Sequence, residues 1–219
     1  MPTLVGFKYR AFLSYAHADL RWGRWLHTRL EGFTIDKDLV ERVTALGPVP
    51  KSLRPIFRDL EDFSGGHSLN EATIAALDQS AALIVVCSAV SATRPAVNEE
   101  VRLFRYSHPD RPVIPVIIGG SYPENFPAAL RFEIAADGSI TDEPVTILGP
   151  DLRDTGEGRQ LGLAKIVAGL TASRRMTSSA ARSGRGDGQR QYVPRSWLSF
   201  SLLPGSEAIS IGAPSSRAP

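Results

Sequence analysis

The 219-residue chain is 42% hydrophobic and 22% charged, the balance of a soluble protein with enough apolar material to bury a core. Its formal net charge of +2 is too small to point to a nucleic-acid partner, and its single cysteine, Cys87, rules out an intramolecular disulfide. No apolar run approaches the roughly 18–20 residues of a membrane span, and the N-terminus, MPTLVGFKYRAFLSYAH, lacks the basic and long apolar regions of a secretion signal. A cytoplasmic location without membrane contact is expected.

In chain order, YRAFLSY at 9–15 predicts a buried strand. Asp19 is placed as the cap of a helix whose Trp22, Trp25, Leu26 and Leu30 form one stripe and which Gly32 ends. Residues 33–54 form a long connection marked by Gly47, Pro48 and Pro50, before a strand in PIFRD. A polar loop with Gly65 and Gly66 leads to a helix holding Leu69, Ile74 and Leu77. AALIVVCS is apolar throughout, as a strand covered on both faces must be, so Cys87 reads as a small buried hydrophobe. A helix follows with Val97, Val101 and Phe104 at i, i+4 and i+7. The next strand is RPVIPVIIGG, where Pro115 argues for an edge or a bulge. Residues 121–144 read as irregular and turn-rich, VTIL suggests a short final strand, and Leu163, Ile166, Val167 and Leu170 share one face of a closing helix. Strands alternating with helices predict a parallel sheet covered on both sides, with ligands beyond the carboxyl ends of its strands.

From residue 174 the composition turns to Arg, Ser and Gly, with Asp187 the only acid in the first 22 residues. This predicts a domain over 1–173 and a disordered tail over 174–219. A basic tail drawn to RNA or a membrane is the alternative. Near the end, Trp197, Leu198, Phe200, Leu202 and Leu203 suggest either a short docking segment or an unstructured end.

The stretch VNEEV, 97–101, poses a local question. With Asn98 as cap, Glu99 and Glu100 suit the positive end of a helix macrodipole. The alternative is that one of them does chemistry. Elsewhere the four histidines are scattered and cysteine is single, so neither a metal-ligand set nor a Ser–His–Asp order is visible. A Gly-rich phosphate loop is also absent.

Four pieces in order, YRAFLSYAHAD, IFRDLEDFSGGHSLNEATIAALDQS, ALIVVCSAVSA and AVNEEVRLF, resemble the Toll/interleukin-1 receptor (TIR) domain family, bacterial members in particular, over roughly residues 8–172. The resemblance implies a flavodoxin-like α/β three-layer sandwich around a parallel five-stranded sheet. It also implies one of two activities: cleavage of the nicotinamide–ribose bond of NAD+ in signalling or immunity, switched on by self-association, or a non-enzymatic adaptor role in which TIR domains bind one another. AVNEE aligns with the family's catalytic pattern so as to make Glu100, not Glu99, the catalytic carboxylate. Phe12, Ser14, Tyr15, Ala16, His17, Arg58, Asp59, Ser88 and Val97 are implied around the substrate, with Tyr15 or Phe12 toward nicotinamide and Arg58 toward phosphate or the loop acids. Leu60, Glu61, Asp62, Phe63, Ser64, Gly65, Gly66 and His67 match the family's BB loop, which gates the site and mediates self-association. Ala96 stands where the family commonly has Trp. No metal or resident cofactor is implied, since NAD+ would be the substrate, and the expected partners are NAD+ and further TIR domains.

Overall fold

The computed structural model describes residues 6–44, 47–58 and 69–171. Its centre is a parallel sheet of four strands: β1 (Ala11–Ser14), β4 (Ile56–Arg58), β5 (Leu83–Cys87) and β6 (Val113–Ile117), in the order β4-β1-β5-β6. The register pairs Phe12 with Phe57 and with Leu83, and Cys87 with Ile117. β1 and β5 are central and buried at every position, which is why their sequences show no alternation of polarity.

Helices cover both faces. α1 (Leu20–Glu31) and α5 (Gly158–Thr171) close over one cluster built on Ala11, Leu13, Ile84, Val86 and Val116. The second cluster, of Phe12, Leu83, Val85 and Cys87, is covered by α2 (Glu71–Asp78), α3 (Pro95–Ser107) and the short α4 (Ala128–Arg131). Each fully buried Leu or Phe in these layers contributes roughly 1.5–3 kcal/mol, so the two clusters hold the sandwich together. Among the described residues, no helix is long and apolar enough to cross a membrane.

Several elements differ from the sequence expectations. The connection at 33–54 has structure of its own. It contains a small antiparallel hairpin, β2 (Val43–Thr44) with β3 (Gly47–Pro48), and buries Ile35, Val49 and Leu53 in the first cluster. The segment taken as irregular holds α4 and a second hairpin, β7 (Phe132–Ile134) with β8 (Ile140–Pro144). An Asp137–Gly138 turn makes that hairpin: Gly138 has φ of +82°, and the Asp137 carboxylate accepts from both the amide and the hydroxyl of Ser139.

The fifth strand is not formed at VTIL. The edge of β6 is instead met three residues later by a single parallel bridge from Ile117 to Asp151. There Ile117 donates to the Pro150 carbonyl at 2.9 Å and accepts from the Leu152 amide at 2.8 Å. Pro115 sits on this edge strand, where its missing N–H interrupts no pairing within the sheet. Gly149 is obligatory beside it, because a Cβ there would fall 1.8 Å from the Pro115 carbonyl oxygen. The tail, 174–219, lies outside the described residues.

One buried charge lies at the opposite end of the sheet from the carboxyl edge. Arg10, 0% exposed, donates through Nε and Nη2 to the Leu170 carbonyl in the last turn of α5. Its Nη1 has no hydrogen-bond partner among the described residues.

Candidate active site

Alternation along β1 decides what faces what. Phe12 and Ser14 point toward α3, whereas Leu13 packs on the α1 and α5 side, joined there by Tyr15 just beyond the strand. On α3 the buried positions are Val97, Glu100, Val101 and Phe104. Glu100 thus takes the i+3 place in the stripe that faces the core. The Ser14 hydroxyl donates to Glu100 Oε2 at 2.5 Å, across 86 residues of sequence. Both groups are enclosed, at 1% and 5% exposure. A carboxylate this buried is tolerated only when its oxygens are hydrogen-bonded.

The neighbouring acid has another fate. The helix begins at Pro95, so Glu99 and Glu100 lie in its second turn and not at its end. Glu99 accepts from Arg102 Nε and Nη2 at 2.7 and 2.6 Å, and this pairing lowers its pKa. Arg102 also donates to the Gly138 carbonyl, tying α3 to the β7–β8 hairpin. Asn98 does not cap its own helix. Its side-chain oxygen accepts from the Ala129 amide at 2.9 Å and caps the start of α4.

A second hydroxyl–carboxylate pair lies one strand over. Ser88, following β5, donates to Asp19 Oδ2 at 2.6 Å. Its amide donates to Ser91 Oγ at 2.8 Å, while its own Oγ accepts from the Ser91 amide at 3.0 Å. Asp19 therefore makes no side-chain cap for α1; it links the end of β1's loop to the end of β5. Sequence reasoning took Asp19 only as a cap and missed Ser91 altogether. The available signal was SYAHAD directly after a buried strand, a place where polar groups gather at the carboxyl edge.

The other expected site residues do not share one environment. Phe12 is fully buried and stacks on Phe57 with centroids 5.0 Å apart, and Val97 is 3% exposed in the same cluster. Both pack in the core among the described residues. Tyr15 packs over Gly23, whose missing Cβ would come within 3.0 Å of the ring, on the opposite side of the sheet from Glu100. Arg58, paired in register with Leu13, has Nε and Nη1 buried without a hydrogen-bond partner among the described residues. Ala16 is buried and its carbonyl accepts from the Asp19 amide, whereas His17 is exposed. Asp59 and the stretch from Leu60 to His67 lie outside the described residues.

A family model described as TIR domain matches residues 11–143, more than half of the chain. The chain belongs to the TIR-domain family. The match begins at the first residue of β1 and ends within β8, so it spans the whole α3 face of the TIR sheet, Ser14 and Glu100 included. Among solved structures, similarity extends to the TIR domains of the activated Roq1 resistosome directly recognizing the pathogen effector XopQ. That similarity is at 21% identity, with a TM-score of 0.38, 52% of this chain covered and 60% of that one. The TIR chain thus spans less than two thirds of that neighbour. No curated protein matches.

Proposed function

We propose that this TIR domain is an NAD+ nucleosidase in which Glu100 is the catalytic carboxylate. The observation that supports this most is a single glutamate buried on the core-facing stripe of α3, at the carboxyl edge of a parallel sheet, and held there by a hydroxyl. The chemistry asks for little more. In NAD+ the nicotinamide is a cationic leaving group and departs neutral, taking the electron pair of the ribose C1′–N bond. No general acid is needed, unlike in most glycoside hydrolysis. One carboxylate beside the ribose stabilises the oxocarbenium charge that develops at C1′. Water then adds at C1′ and loses a proton, giving ADP-ribose; capture by the adenine instead gives a cyclised product. By the family resemblance Arg58, the last residue of β4, supplies a cation for the pyrophosphate. Self-association through the 60–67 stretch completes the site and sets when it is active.

A second reading, a TIR module that only binds other TIR domains, is favoured by one feature. Ala96 leaves no aromatic surface on the first turn of α3, and Phe12 is enclosed, so neither offers a ring to nicotinamide. The deciding experiment incubates concentrated protein with NAD+, with and without a crowding agent, and follows nicotinamide by chromatography. Turnover is expected, and Glu100→Gln is expected to reduce it by about 100-fold or more, the scale of losing a key electrostatic group. Turnover undiminished in Glu100→Gln removes the catalytic assignment. No turnover under any assembled condition leaves the interaction module.

A further inference from the structure

Ser14, the last residue of β1, falls within the family match, and its hydroxyl is already committed inside the protein. It is 1% exposed, on the central strand of the sheet, with Phe12 behind it and Val85 beside it in register. What its hydroxyl does reach is Glu100 Oε2. We infer that Ser14 is a positioning residue for Glu100: it orients the carboxylate from within the sheet and does not bind the nucleotide.

The physical case rests on rigidity and on chemistry. A serine has one side-chain rotor, and here it ends a central strand and pairs in register with Val85 of β5, so its oxygen is a well-defined point at the carboxyl edge. A glutamate has three rotors, and one anchored oxygen removes most of their freedom. A hydroxyl donating to a carboxylate forms a short charge-assisted bond, about 2.5–2.7 Å in general, and the 2.5 Å observed lies in that range. Preorganisation of this kind acts on the chemical step. The carboxylate is already aimed when charge develops, and no binding energy is spent to turn it.

The inference rests on Glu100 being the catalytic group, and the test separates the two. Steady-state NAD+ turnover is measured for the unaltered protein, Ser14→Ala, Ser14→Cys, Glu100→Gln and the Ser14→Ala/Glu100→Gln pair. Melting temperatures are recorded alongside. Cysteine fills the serine's place but is a weak donor, so it retains the packing and loses the anchor. Both Ser14 variants are expected to lower kcat by about 10- to 100-fold, the scale of a small misplacement of a catalytic group, with KM within about twofold. In the Glu100→Gln background Ser14→Ala is expected to add nothing further.

If Ser14→Ala does not fold, Ser14→Cys carries the test. Unaltered kcat in Ser14→Cys, or a raised KM with kcat preserved, overturns the positioning role while Glu100→Gln remains inactive and the nucleosidase reading stands. Full turnover in Glu100→Gln, or none in the unaltered protein, overturns that reading and the inference with it.

Discussion

Strand β1 has a buried ionisable group at each end, and the two are accommodated in different ways. Beside its last residue, Glu100 receives a hydroxyl from Ser14. Just before its first, Arg10 has no carboxylate partner among the described residues and relies on the Leu170 carbonyl at the negative end of α5. Burial lowers the Arg10 pKa to about 10. Both groups are deeply enclosed, so burial of a charge does not by itself mark a functional site. What separates them is place: one lies at the carboxyl edge, where parallel sheets generally take their ligands, and the other at the amino end, where it fastens the last helix.

The sharpest way to break this contrast is to treat Arg10 as purely structural and remove it. Arg10→Ala is expected to cost about 3–5 kcal/mol in denaturant unfolding, because a cavity and an unpaired Leu170 carbonyl are left together. Arg10→Met, which keeps the volume and relieves the buried charge, is expected to stay within about 1 kcal/mol of the unaltered protein. A Met variant as unstable as the Ala variant would show that the hydrogen bonds dominate. The pH dependence follows from the same group. A base whose folded pKa lies below its unfolded value penalises the native state wherever it is charged, and the penalty falls as pH rises above about 10. The unaltered protein should therefore gain stability relative to Arg10→Met between about pH 10 and 12, as measured by urea midpoints.

At the other end of the strand the expected effects on stability are smaller. Asp19→Ala removes the acceptor for Ser88 and should cost about 1–2 kcal/mol, with Ser88→Ala adding little on top. Additive losses would mean that the two do not act as a pair. The smallest effect is expected from Glu99→Gln. Its partly exposed pair with Arg102 should be worth less than about 1 kcal/mol, and nicotinamide release should be unchanged. A loss of turnover in Glu99→Gln would exchange the roles assigned to the two adjacent acids.

The main strands and helices were legible because each is long, apolar and punctuated. LIVVC is buried at every position, and Val97, Val101 and Phe104 lie on one face of α3 as their spacing implies. The β7–β8 hairpin escaped because its strands carry little apolar material beyond Phe132, Ile134 and Ile140, although Asp137–Gly138 was a usable turn signal. The candidate site was half legible. A glutamate on the core stripe can be found by periodicity, but its partner lies 86 residues away and only the fold joins them. Asn98 and Asp19 were misassigned for one reason: a short polar side chain near a helix start suits a cap, and here each bonds to a different element instead.

The close approach of Gly149 to the Pro115 carbonyl has a consequence for how copies of this chain can stack. An exposed parallel edge is a template on which a further strand, from a second copy or a misfolded one, can add. Here the β6 border is sealed by its own chain: a proline that offers no donor, a glycine pressed against its carbonyl, and Ile117 already engaged on both its amide and its carbonyl. Growth of the sheet across that border is blocked, so any filament built from this domain must avoid strand addition there.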